Sequence, residues 1–361
     1  EQWNVGLDLG FFDERIGINV DWYMKTTRDL LLDASLPYST GYYSAMKNVG
    51  KVRNSGLEFT LNTININRNG FRWSTNFNIA FNKNKVLELA ENQTSLLTSA
   101  YFDQTYNSQP TYIAKKGYSM GMMYGYMYEG TYKYEDFYKS GDTYVLRPGV
   151  PYFSSENNTQ PGMPKYKDLN GDGIIDTNDR TMIGRGLPIH TGGFTNNFEW
   201  KGFDLSVFFQ WSYGNDVINY NRTRLESLNS KHTNQLASAA NHWTPRTVNP
   251  DGTVTEGNYT NYLCAPNRSL TNINTDREIE DASFLRLKNV QLGYSFPTKM
   301  LKNMKIRSLR VYVSAQNIWT WTKYTGYDPE VSTRNSAMTR GFDYSSYPRT
   351  RSYTFGIKLG L

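Results

Sequence analysis

The chain of 361 residues has one cysteine, three histidines and no apolar run near the roughly 20 residues a membrane-spanning helix needs. A single cysteine cannot pair within the chain, which excludes a disulfide-stapled scaffold. The short apolar runs exclude a helical membrane protein. Catalytic signatures are missing too. His190, His232 and His242 form no H-E-x-x-H, and no nucleophile elbow, Walker loop, dinucleotide fingerprint or paired C-x-x-C occurs. Cys264 lies in a polar stretch with nothing beside it in sequence to activate a thiol. No enzyme is expected, and no catalytic residue is assigned. What is present is aromatic and polar: 38% of residues are hydrophobic, yet 15% are aromatic, with 28 Tyr and 29 Gly. Disordered chains are poor in aromatics, so this composition points to β-structure. The net charge is +6, but Lys and Arg are scattered. A solvated basic surface is expected, with no nucleic acid as partner.

Hydrophobicity repeats with a period of two. Trp3, Val5, Leu7, Leu9 and Phe11 alternate with Asn4, Gly6, Asp8 and Gly10. Ile16 to Met24, Trp73 to Phe81, Phe203 to Trp211, Leu309 to Ala315 and Tyr353 to Leu361 repeat the pattern. Such alternation predicts strands with one apolar and one polar face. The runs reach the 9–11 residues a tilted strand needs to cross a bilayer, whereas soluble strands average about 5–6. Trp3, Trp22, Trp73, Trp200, Trp211 and Trp319 lie near the ends of the apolar face, as in the aromatic girdle of an outer-membrane barrel. Nine crossings are expected, at about 2–12, 15–30, 52–66, 70–83, 190–200, 203–214, 283–296, 307–320 and 349–361. Their connections alternate between short turns and long polar segments at about 33–50, 83–190, 214–282 and 321–348, the pattern of periplasmic turns and extracellular loops. Residues 118–134 are strand-like, but counting them as a crossing breaks this parity. The expected organisation is therefore a partial transmembrane barrel over 1–361, with 83–190 as an extracellular excursion carrying short strands of its own. An odd strand count predicts strands missing upstream, and so a C-terminal fragment.

The sharpest local motif is acidic. Asp168, Asn170, Asp172, Asp176 and Asp179 fall at positions 1, 3, 5, 9 and 12 of an EF-hand-like loop at 168–179, with Gly173 at position 6. Ile174 supplies its backbone carbonyl at position 7. The oxygen-rich set suits a hard cation, and Ca2+ is expected, as an ion that pins a long loop. Asp179 stands where a longer Glu usually reaches the ion. In the long connections lie Tyr101, Phe102, Tyr106, Tyr152, Phe153, Tyr220, Trp243, Tyr259, Tyr262, Phe342, Tyr344 and Tyr347, expected to pack or to meet a partner rather than to contact cargo.

Several segments then read as a family. They are Asn54-Ser-Gly56-Leu-Glu58-Phe, Tyr124-Gly-Tyr126 with Glu129-Gly130, and Pro161-Gly162 to Lys165-Tyr166. Asp281-Ala-Ser-Phe284-Leu-Arg286-Leu-Lys-Asn289-Val, Ser314-Ala-Gln-Asn317-Ile and Thr325-Gly326-Tyr-Asp328-Pro329-Glu330-Val follow. In this order they resemble the C-terminal barrel portion of SusC/RagA-type TonB-linked outer-membrane proteins. The resemblance implies an all-β fold: part of a 22-stranded antiparallel transmembrane barrel with long extracellular loops. It implies a plug domain that is not in this chain, TonB contacted through an N-terminal region also not in it, and a SusD-like surface lipoprotein as lid. It further implies import of oligosaccharides or peptides across the outer membrane. Asp328-Pro329-Glu330 is read as a family-marking turn rather than a cargo clamp, and no substrate-binding residue is assigned. The last residue, Leu361, departs from the aromatic common at barrel C-termini. An open sheet in lipid leaves edge N–H and C=O groups unpaired at several kcal/mol each, so the piece is expected to need its missing strands. Two rivals remain at this point, a secreted soluble glycan-binding β-sandwich with a structural calcium, and a glycan-cleaving enzyme on a β-scaffold.

Overall fold

The computed structural model describes residues 1–35, 44–89, 93–100, 109–229, 232–258, 263–266, 273–302, 306–334 and 336–360. Nine strands form one antiparallel sheet, each paired with its neighbours in chain order. They are β1 (Gln2–Phe11), β2 (Ile16–Ser35), β3 (Ser44–Arg68), β4 (Phe71–Glu88), β5 (His190–Trp200), β6 (Phe203–Tyr213), β7 (Phe284–Ser295), β8 (Ser308–Thr322) and β9 (Ser352–Gly360). All nine expected crossings are found. A sandwich would divide them between two packed sheets; a single sheet does not fit that rival.

Local chemistry sets the turns. Asn69 and Gly70 both adopt positive φ (54° and 75°), joining β3 to β4 through a two-residue turn that matches the twist of the strands. Lys201 and Gly202 (47° and 92°) do the same between β5 and β6. Register then places the alternating apolar positions of neighbouring strands on one face. Val5 opposes Trp22, Phe77 opposes Phe194, Val207 opposes Val290, and Val313 opposes Phe355. That face has no protein cover, and Phe355 is 84% exposed. The opposite face carries amides and hydroxyls, tied across strands by Asn84 donating to Asn54 at 2.8 Å and Tyr23 donating to Asn82 at 3.0 Å.

Two expectations need correction. The segment 33–50 is not simply a loop: the β2–β3 ladder continues from Leu30 opposite Gly50 to Ser35 opposite Ser44. Two register shifts near Thr27 and Leu30 interrupt the alternation there, which hid the strand in the sequence. The strand β4 likewise runs on to Glu88. In β7 the alternation changes parity, from Val290 and Leu292 to Leu285 and Leu287, because Lys288 is the extra residue of a bulge.

Buried packing sits beyond the wall, where the long connections fold on one another. Met122–Gly125 is held in a four-stranded sheet between Thr181–Arg185 and Tyr112–Lys115, with Ser95–Thr98 outermost. Asp216–Asn219 pairs with both Ile279–Asp281 and Phe342–Asp343. One hydrophobic cluster joins Ala100, Tyr112 and Met123 to Ile218, Tyr220 and Phe342, and so draws on three different connections.

Candidate functional site

The alternation of β7 and its bulge put Arg286 on the polar face, where it is 1% exposed. Its fork is fully used: Nε donates to Thr320 Oγ1 at 3.0 Å, Nη1 to Glu330 Oε2 at 2.8 Å and Nη2 to Asp328 Oδ1 at 2.8 Å. Arg349 closes the other side, at 2.9 Å from Glu330 and 3.3 Å from Asp328. Asp328 Oδ1 also accepts the Glu330 N–H at 2.8 Å. The Asp328-Pro329-Glu330 turn thus seats the 321–348 connection on the wall. Two acids flanking a proline were the visible signal, but nothing in sequence named Arg286 as their partner.

A second charged group links the 214–282 connection within itself. Arg277 contacts Glu226 at 2.9 Å and Glu278 at 2.5 Å, while Arg222 contacts Glu226 and Glu280, each at 3.3 Å. Burial works against charge on Arg277, but Glu278 and Glu226 outweigh it and its pKa lies above the ordinary arginine value. Glu280 reaches across to the 321–348 connection, accepting the Thr325 N–H at 2.7 Å. Asp343, fully buried, accepts the Tyr324 hydroxyl at 2.5 Å and the Ser346 hydroxyl at 2.6 Å. Burial first, then Asp343, pushes the Tyr324 phenol well above its usual range.

In the acidic loop, Asp168 accepts the N–H groups of Gly171 and Gly173 at 2.7 and 2.8 Å. Asp172 accepts from Ile174, and Asp176 from Asn178. Asp179 is fully buried and clasps the loop, accepting from Leu169 at 2.7 Å and Asp176 at 2.8 Å. These bonds make the segment a run of Asx turns closed by Asp179. Among the described residues, no group of three or more His, Cys, Asp or Glu is gathered around a metal-sized point.

The remaining candidates scatter. His190 stacks on Tyr213 at 5.0 Å and accepts from Trp211 Nε1, while His242 bonds the Ala239 carbonyl. Cys264 is buried. Tyr220, Trp243 and Phe342 are buried, Tyr152, Phe153 and Tyr344 half-buried, and Tyr347 exposed. Tyr101, Phe102, Tyr106, Tyr259, Tyr262 and Leu361 lie outside the described residues.

Two cavities open between the polar face of the wall and the packed connections. One, of about 450 Å³, is bounded by Thr191, Gln210 and Ser212 of the wall and by residues of 329–341. The other, of about 530 Å³, is bounded by Asn54, Ala80, Asn82, Asn84 and Thr191 of the wall and by Met120, Ala337 and Arg340. Cavities of this size suit a small oligomeric ligand held by amides and hydroxyls. Sequence alone missed them, because their walls come from segments far apart in the chain.

Residues 1–172 match the family model described as TonB dependent receptor-like, beta-barrel. Over 99% of its length the chain is 36% identical to TonB-dependent receptor P3 of Formosa agariphila, and covers 34% of that protein. It is 28% identical to TonB-dependent receptor SusC of Bacteroides thetaiotaomicron, again over 99% of the chain and 31% of the relative. The fold matches the structure of the RagAB peptide transporter with a TM-score of 0.73 at 25% identity, over 99% of this chain and 35% of that one. Over nearly its whole length the chain is similar to TonB-dependent receptors, those of SusC/RagA type among them. It spans about a third of the length of these relatives. Its sheet is part of an outer-membrane β-barrel wall. The motifs that signalled the family sit at joints of the receptor. Asn54 holds Asn84, Gly162 packs against the Trp243 ring, and Asn317 (φ 52°) marks the bulge of β8.

Proposed function

We propose that this chain forms wall and extracellular loop layer of an importer that takes oligosaccharides or peptides through the outer membrane. The energy would come from TonB, acting on a part of the receptor outside these residues, and a SusD-like lipoprotein would cover the loop layer. The observation that carries the reading is the pair of cavities under a roof of packed loops, each lined in part by amides and hydroxyls of the wall, on a sheet whose other face is apolar and uncovered. The test uses cells carrying the whole receptor. Uptake of labelled oligomers from the native medium is expected to vanish when either the receptor or TonB is deleted. Uptake that survives both deletions would overturn the reading.

We also propose that loop 168–179 takes Ca2+ as a structural ion, through Asp168, Asn170, Asp172, Asp176, Asp179 and the Ile174 carbonyl. Each carboxylate has about four lone-pair sites, so accepting N–H bonds leaves capacity for a cation. The left-handed Gly173 (φ 84°) makes the turn an EF-hand loop requires. Calorimetry of the whole receptor is expected to show one calcium-binding event that Asp172→Ala removes. Unchanged calcium binding in that variant would reject the site.

A further inference from the structure

The wall shared by the two cavities has no role so far. Arg340 lines both. Its main chain is held on several sides. The Arg340 carbonyl accepts the hydroxyl of Tyr112 at 3.0 Å, and Tyr112 is fully buried. The next carbonyl, of Gly341, accepts the Ile218 N–H at 2.7 Å. Gly186 lies so close that a Cβ there would meet the Arg340 carbonyl oxygen at 2.5 Å. The side chain is the opposite case. It is exposed, and among the described residues the guanidinium has no hydrogen bond and no ion pair. A clamped backbone places this planar cation at the wall the two cavities share, and its fork geometry matches a carboxylate.

The charge around it agrees. The ionisable groups bounding the two cavities are Glu330, Arg334, Arg340 and His190. Glu330 is already neutralised by Arg286 and Arg349. Among the described residues no other carboxylate bounds either cavity, so the charge left on the lining is positive, and the remaining polar lining is amide and hydroxyl. Such a lining accepts a neutral polymer anywhere but distinguishes an acidic unit at one place.

We propose that the Arg340 wall is a subsite for a carboxylate-bearing unit of the cargo, either the uronate of an acidic oligosaccharide or the carboxylate of an acidic peptide. This rests on the importer reading and names the charge class of its cargo. The test is calorimetry of the purified whole receptor with trigalacturonate, triglutamate, and the neutral probes cellotriose and trialanine. At least one acidic probe is expected to bind, and which one identifies the source of the carboxylate. Arg340→Ala is expected to weaken that probe about tenfold, the worth of one charge-assisted hydrogen-bond set, while Arg340→Lys recovers part of the loss. Arg351→Ala, which removes an arginine stacked over Trp319 and outside both cavities, should change nothing. Heat-modifiable gel mobility confirms that each variant is folded. The proposal is overturned if no acidic probe binds, if Arg340→Ala leaves acidic binding unchanged, or if neutral probes lose as much. Any of these together with intact TonB-dependent uptake removes only the subsite. Loss of the TonB dependence itself removes the importer reading.

Discussion

Replacing Arg286 by methionine in the whole receptor is expected to unseat the 321–348 connection. The substitution keeps the stem but leaves Asp328 and Glu330, 11% and 22% exposed at their side chains, with the half-exposed Arg349 as their remaining ion-pair partner. Removing one partner of a buried ion pair costs about 3–5 kcal/mol, because the charge left behind has lost its compensation. Amides bonded to or within this connection, the Ile218 N–H held by the Gly341 carbonyl among them, should exchange with solvent at least about a hundredfold faster, the rate equivalent of about 3 kcal/mol. Arg286→Lys keeps the charge and loses the fork, so an intermediate acceleration is expected. Neutralising all three, as Arg286→Met with Asp328→Asn and Glu330→Gln, should recover much of the protection. Exchange rates in Arg286→Met equal to those of the unmodified receptor would show that the cluster does not hold the connection.

The second large effect separates the two faces of the wall with a pair of adjacent residues. Val207 lies mid-strand in β6 on the apolar face, between Asn196 and Val290. Ser206 lies on the polar face, between Asn197 and Gln291. Val207→Arg puts a guanidinium into hydrocarbon and should cost about 2–4 kcal/mol, whereas Ser206→Arg should be close to neutral. Urea midpoints of the receptor refolded into lipid vesicles give both numbers, with heat-modifiable mobility as the folding check. Equal costs at the two positions would mean that the apolar face does not meet lipid.

The wall was legible in the sequence because lipid enforces alternation. From His190 to Tyr213 the expected strands and turn agree with the structure to within a residue, since each position must satisfy either hydrocarbon or water. Beyond the membrane that demand lapses. The extension of β2 and β3 to Ser35 and Ser44 pairs backbone to backbone past two register shifts that break the alternation. Arg286 was invisible for a different reason. An arginine on a polar face looks solvated in sequence, and its partner Asp328 is 42 positions away. The cavities depend on segments still farther apart, brought together by Tyr112 bonding to Arg340 across 228 positions. The turn of the acidic loop was readable because its Asx bonds are local.

The short strand Asp216–Asn219, paired on one side with Ile279–Asp281 and on the other with Phe342–Asp343, bears on how such receptors diversify. A surface loop that packs only on itself can be exchanged between relatives like a cassette. Here one loop's strand is the middle rung for another, and a third supplies Met123 to the same cluster. A graft of any one loop would carry half an interface into a host that lacks the other half. Chimeras should therefore succeed only when the three segments are transplanted as a set, and natural variation among relatives should arrive in correlated blocks rather than loop by loop.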